Sequence, residues 1–286
     1  MSAGLTMLVF LLPSMIILLA LNLYPLLYAA MQSLRHGNLV VNGPWVGLQN
    51  YSDVLTDSTF WSAALFTLIF TLSGVFGSWL VGLVLALLLR TKIPAGGVFK
   101  VLLLLPWVVP VVVSATSWNW LVATPQSPLP IMLGWIGIHD VFFLSTPILA
   151  KIVVCVFKIW ISFPFMMMMM SAALSGIDTN VYEAAKVDGA TSWQTFRSIT
   201  MPLISRSTYI SWILMTIFCV NDFPTIYLLS GGGPTGATTS LVVLAYQIVF
   251  QNQQSGPGVA IAFLMTLVLI LVSVVLYRQI KKVNIA

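Results

Sequence analysis

The sequence predicts an all-α, polytopic membrane protein with six transmembrane helices, and three observations carry that prediction. The 286 residues are 59% apolar and only 7% charged, with a mean hydropathy of +1.01, whereas a soluble domain carries roughly a quarter of its residues as charge. The apolar residues gather into runs long enough to cross a bilayer, at 5–34, 61–89, 101–122, 148–174, 207–229 and 259–276, since a span needs about 20 residues. Six crossings put both termini on one side, and the cations agree. Arg90, Lys92, Lys100, Lys186, Arg197, Arg206, Arg278, Lys281 and Lys282, nine of the twelve, fall on that side. Loops facing the cytoplasm concentrate Lys and Arg, so both termini and the polar stretch 178–203 are expected there. The whole chain, 1–286, reads as a single membrane domain.

The first run carries no charge from Leu5 to Leu34, too long for a signal-peptide core, and is expected to be retained. Residues 35–58 are polar and turn-rich, with Asn42-Gly43-Pro44. The second run ends on Arg90, Lys92 and Lys100. The third holds Pro106 and Pro110, which kink spanning helices, and ends near Trp118-Asn119-Trp120, residues suited to the interface. The loop 124–145 is expected outside. The fourth contains Lys151, Lys158 and the methionine run Met166 to Met170; the fifth contains Asp222; the sixth closes on Arg278, Lys281 and Lys282.

Between the fourth and fifth runs lies an island of charge holding Glu183, Lys186, Asp188 and Arg197. Asn180 followed by Glu183 is a capping-box pattern that opens a short helix, and Gly189 can close it with a left-handed cap. Thr191 and Gln194 repeat the device for a second short helix, which Pro202 is expected to stop. A polar hairpin flanked by spans is suited to docking a partner.

These residues also carry a resemblance. Tyr182-Glu183-Ala184-Ala185, Asp188-Gly189-Ala190, Phe196, Ile199 and Pro202 resemble the EAA loop of inner-membrane permease subunits from bacterial binding-protein-dependent ATP-binding-cassette (ABC) importers. The family pattern ends Ile-x-Leu-Pro; here Met201 replaces the leucine. The segment WVGLQNYSDVL resembles the first external loop of the carbohydrate-type permeases. Gly231-Gly232-Gly233-Pro234 is similar to a turn in the first of their two paired subunits, the maltose and glycerol-3-phosphate type. The resemblance implies that the loop is a coupling helix seated on a cytoplasmic ATPase. It implies a second permease as heterodimer partner, two ATPase subunits that hold the ATP and magnesium, an external solute-binding protein and a carbohydrate substrate. The chain itself would bind no cofactor and perform no bond chemistry.

Other features admit plainer readings. Gly231 to Gly236 mimics a phosphate-binding loop, but Ala237 stands where the lysine is required. Leu229-Ser230-Gly231-Gly232 mimics the signature of cassette ATPases, yet falls on the outer side. The glycines read as a tight external turn. Asp222, beside Asn221, is the only acid within a predicted span, and an ionisable group at membrane depth suggests function. It either touches substrate, faces water near its helix end, or is neutralised by Lys158. Lys158 itself either lines a cavity or snorkels to the interface. Trp160 and Phe165 offer faces for a sugar ring or for packing, and the methionines read as core. His36 and His139 are isolated and Cys155 and Cys219 lie in apolar runs, so neither a metal nor a disulfide is expected. The net charge of +5 belongs to helix ends and does not indicate nucleic acid. The alternative function is an ion-coupled secondary transporter of a small polar solute, which needs midplane carboxylates or repeated halves; a membrane enzyme would need clustered His, Asp, Glu or Cys.

Overall fold

A computed structural model describes residues 3–90 and 94–283. Lys92 lies outside them, as do the side chains of Lys281 and Lys282. Helix α1 (Ala3–Ser33) is followed by a two-stranded antiparallel hairpin, β1 (Arg35–Gly37) and β2 (Asn42–Trp45), and by α2 (Gln49–Thr56). Next come α3 (Ser58–Leu72), a π-helical turn at Ser73–Gly77, and α4 (Ser78–Leu88). Helices α5 (Gly96–Val108), α6 (Val111–Val122) and α7 (Pro128–Gly134) precede the long α8 (Pro147–Ser175). Then comes α9 (Thr179–Val187), and after a turn α10 (Ser192–Thr195), a second π-helical turn at Phe196–Thr200 and α11 (Met201–Val220) run on without interruption. The chain ends with α12 (Phe223–Ser230), α13 (Leu241–Tyr246), a third π-helical turn at Gln247–Gln251, and α14 (Ser255–Val283).

Among the described residues, five helical stretches are long and apolar enough to cross a membrane: Phe10–Ser33, Ser58–Leu88, Pro147–Ser175, Ser192–Val220 and Ser255–Gln279. Helices α5 and α6 pass the same test together but are bent by 89°, so the sixth crossing is a broken one. The sequence foresaw a kink at 101–122. The structure has a full break at Val109 and Pro110, because Pro110 has no N–H to continue the ladder. The fifth predicted span, 207–229, is likewise broken, at Asn221 and Asp222. Pro202 does not stop a helix as expected; it sits in the first turn of α11, directly after the π-helical turn. Its missing N–H costs least at a helix start.

The chain divides into two compact units. The first runs to Trp61 and takes in Leu244–Thr266. Every side chain from Phe10 to Tyr28 in α1 is exposed, as befits an apolar helix whose neighbour is lipid or another subunit. The β-hairpin, which the sequence presented only as polar and turn-rich, is held by the fully buried Asn50. Its Nδ2 donates to the carbonyls of Ser33 at 2.8 Å and Arg35 at 2.9 Å.

The second unit spans Ser62–Val243 and continues from Leu267. Its core centres on α8: Phe157 and Met166 are fully buried beside Phe66, Phe70, Met215, Ile226 and Leu229. Met167, Met170 and Leu174 form a second cluster with Leu83, Ala86 and Ile204. The methionine run is thus largely core, although Met168 is exposed. Helix α4 meets the backbone of α8 at Gly82, where a Cβ would lie 2.6 Å from the Met167 nitrogen and 2.7 Å from Met166 Cβ. Backbone cannot yield as a side-chain tip can. Gly82→Val is therefore expected to destabilise the subunit by about 1–3 kcal/mol, the usual range for overpacking. Gly97→Val, where a Cβ meets nothing within 4 Å, should leave the melting temperature in detergent unchanged; equal melting of both variants would contradict the packing argument.

Candidate functional site

The two helix breaks face one another across a cavity of about 470 Å³, within the size range of small-molecule sites. Trp107, Val109 and Pro110 from the first break line it, with Asn221, Asp222 and Thr225 from the second and Lys158 and Ser162 from α8. Asp222 accounts for the geometry. A break frees backbone N–H groups that hydrocarbon cannot satisfy, and Asp222 is the N-cap of α12, its Oδ1 accepting from the Thr225 N–H at 3.1 Å. Its Oδ2 accepts from Lys158 Nζ at 2.6 Å. The pair is buried, at 7% and 8% side-chain exposure. Among the described residues no other ion pair forms.

Of the readings open for Asp222, a position facing water at a helix end is therefore overturned, and neutralisation by Lys158 stands. Lys158 lines the cavity and does not snorkel. Its Nζ also lies 5.8 Å from the Phe70 ring centroid, and Gly74 makes room for its stem: a Cβ at 74 would meet Lys158 Cγ at 3.0 Å and Cys219 Sγ at 2.7 Å. Asn221 is exposed, its Nδ2 donating to the Ile217 carbonyl at 2.9 Å. Trp160, expected with these three, is elsewhere. It packs on Trp118 at 5.4 Å and Phe157 at 5.9 Å and does not line the cavity. The aromatic face there is Trp107, stacked on Phe165 at 5.3 Å, with Phe218 beside it. Neither Trp107 nor Phe218 was singled out from the sequence; the Val109-Pro110 break was the available signal, since it turns Trp107 toward Asp222.

The second candidate surface is the α9–α10 hairpin. Asp178, not Asn180, is the N-cap: its Oδ1 accepts from the Asn180 N–H at 2.9 Å. Asx side chains cap from either position, and Asp178 takes the N–H that Glu183 would have needed. Glu183 is thus left exposed, with no capping-box role. Gly189 does take a left-handed conformation, φ +75°, and the Ala190 N–H closes back on the Ala185 carbonyl at 2.9 Å. Thr191 and Gln194 form the expected reciprocal capping box. Ala184, Asp188 and Pro202 are exposed, Tyr182, Ala190 and Phe196 are half-buried, and Val187 is 88% exposed. Ala185, expected at the partner contact with the rest of the EAA pattern, is buried at 5%. The exposed face of the hairpin carries Glu183, Ala184, Val187 and Asp188.

The glycine-rich segment is a tight turn: Gly231, Gly232 and Gly236 have positive φ, and Ser230 Oγ lies 2.8 Å from Thr238 Oγ1. Among the described residues no cluster of three or more His, Cys, Asp or Glu could hold a metal.

Broken spans around a capped, neutralised cavity, joined to an exposed polar hairpin, define a solute-conducting membrane subunit that takes its drive from another protein. The chain belongs to the family described as binding-protein-dependent transport system inner membrane component, whose model covers residues 78–284. It is 34% identical over 272 residues to the trehalose/maltose transport system permease protein MalF of Thermococcus litoralis, covering 95% of this chain and 92% of that one. It is 35% identical over 230 residues to the diacetylchitobiose uptake system permease protein DasB of Streptomyces coelicolor, covering 79% and 70%. Its fold is similar to that of a chain in a bacterial ABC transporter that imports the acidic polysaccharide alginate, with a TM-score of 0.82, 24% identity, and 97% and 95% coverage. The chain is therefore a multi-pass permease subunit of a binding-protein-dependent ABC importer, a non-catalytic component whose ATPase is a separate subunit. The ion-coupled carrier falls with that assignment.

The pair Lys158–Asp222 has a measurable consequence. Asp222→Ala strands a buried ammonium, and removing one partner of a buried pair costs about 3–5 kcal/mol. Lys158→Met combined with Asp222→Asn should recover most of that loss in thermal unfolding, because no charge is then left alone while position 222 keeps a cap.

Proposed function

We propose that this chain is one of two permeases forming the translocation pathway of an ATP-driven importer for a neutral sugar. It sits in the bacterial cytoplasmic membrane with both termini inside. Its partners are a second permease, two ATPase subunits carrying the ATP and magnesium, and an external solute-binding protein.

The observation that carries the reading is the exposed α9–α10 hairpin, joined to α8 at one end and α11 at the other. A small hairpin rigidified by an Asp178 cap, a left-handed Gly189 and a capping box transmits displacement without deforming. Closure of the ATPase dimer around ATP moves such a lever as a rigid body, and the paired permeases switch the side on which their cavity opens. Glu183, Ala184, Asp188 and Gly189 then serve as the contact with the ATPase, with Tyr182, Ala190, Phe196 and Pro202 supporting it. The sugar class is supported by the names of the relatives and by the cavity. Trp107 and Phe218 present faces to an apolar ring surface, while Asn221 and Ser162 present groups that bond hydroxyls. Lys158 has its charge spent on Asp222, which disfavours an anionic solute.

The test is ATP hydrolysis by the complex in proteoliposomes, with the binding protein offered maltose, trehalose or diacetylchitobiose. One sugar is expected to stimulate hydrolysis and to accumulate inside. Glu183→Ala should weaken that stimulation. Gly189→Val, which forces a β-branched residue into a left-handed conformation costing roughly 1–2 kcal/mol, should lower it by about tenfold while the subunit still inserts. Uptake that follows an ion gradient and ignores ATP would sink the proposal.

A further inference from the structure

The hairpin is tied by covalent chain to α8 and α11 only, yet one of its side chains reaches a third span. The Arg90 guanidinium lies 4.3 Å from the centroid of the Tyr182 ring, in the range of a cation–π contact. Arg90 lies two residues beyond the end of α4, whose last carbonyls also favour a cation; its N–H donates to the Leu87 carbonyl at 3.3 Å. The same tyrosine touches the base of α11: its hydroxyl is 3.3 Å from Thr200 Oγ1, and Thr200 is buried at 4% in the π-helical turn. Tyr182 thus holds two spans at once, one through its ring and one through its hydroxyl.

We infer that Arg90 is a positioning residue for energy coupling, joining the hairpin to α4 so that one displacement of α9 drives the second span together with the fourth and fifth. This rests on the importer reading above. Helix α4 cannot slip along α8, because Gly82 seats its backbone against Met166 and Met167. At its other end α4 continues from the π-helical turn Ser73–Gly77, where Gly74 abuts the stem of Lys158. A pull at Arg90 is therefore passed along a stiff helix to the wall of the cavity. Arg90 touches neither nucleotide nor sugar; it acts through Tyr182.

The test compares sugar transported per ATP hydrolysed in proteoliposomes, using whichever of maltose, trehalose and diacetylchitobiose stimulates the wild type. Arg90→Gln is expected to lower that ratio roughly three- to tenfold, the factor a partly screened cation–π contact represents, with the ATPase still copurifying. Arg90→Lys keeps the cation and should restore most of it. Tyr182→Leu should show the same deficit, and the double variant should be no worse than either single one, as for residues acting through one contact. A wild-type ratio in Arg90→Gln, additive losses, or failure of that variant to retain the ATPase would overturn the joint. A second measurement needs no sugar. In the complex bearing Leu88→Cys and Lys186→Cys, exposed positions that leave Arg90 and Tyr182 in place, a bifunctional maleimide should link α4 to the hairpin equally well without nucleotide and with ATP trapped. Loss of the link on trapping would show the hairpin sliding past α4, whereas a wild type stimulated by none of the sugars would sink the sugar reading and leave the cross-link to decide the joint.

Discussion

Hydrocarbon cannot hydrogen-bond a peptide group, and that constraint governs this structure. A chain that breaks two of its spanning helices must satisfy the freed N–H groups through side chains, neighbouring backbone or a water-lined cavity. At Asn221 and Asp222 it does so with a carboxylate, which itself needs a counter-charge at that depth. Lys158 supplies it from α8. The cavity, its polar lining and its electrical neutrality all follow from having broken α11 from α12 opposite the break between α5 and α6. Two continuous helices would pack shut.

The parts legible in the sequence were those written in local chemistry. Runs of apolar residues coincide to within a few residues with the apolar helices Ser58–Leu88, Pro147–Ser175 and Ser255–Gln279, since length and hydropathy suffice, whereas the fifth run, 207–229, misses the start of Ser192–Val220 and overruns its end. Gly189 and the Thr191–Gln194 pair were read correctly because each acts on backbone groups three to five residues away. Asn180 was misread because Asp178, two residues earlier, offers the same kind of cap, and the competition is decided by backbone angles that composition does not display. Pro202 was read as a stop because an ordinary helix was assumed before it; a π-helical turn at Phe196–Thr200 lets the chain enter α11 with the proline at its start. The candidate site lies on the other side of that divide. Lys158 and Asp222 are 64 residues apart, and only the packing of α8 against α11 and α12 decides that they meet. The same packing sends Trp160 to a cluster with Trp118 and Phe157 and brings Trp107 to the cavity in its place.

The α9–α10 hairpin shows how few contacts a rigid polar element requires. The hairpin's rigidity comes from a few backbone hydrogen bonds at its caps, and its outer face is left almost free of internal contacts. Ala184 and Ala185 illustrate that division: adjacent and identical in chemistry, one is exposed and the other is buried.

Gly74 shapes the history such a site can have. Because the space a methyl would fill at 74 is already held by the Lys158 stem and the Cys219 sulfur, these positions do not drift independently. With a methyl at 74 the Cys219 sulfur would have to move and the Lys158 stem to give by a few tenths of an ångström. The charge in the cavity thus leans on a missing side chain in the helix behind its wall.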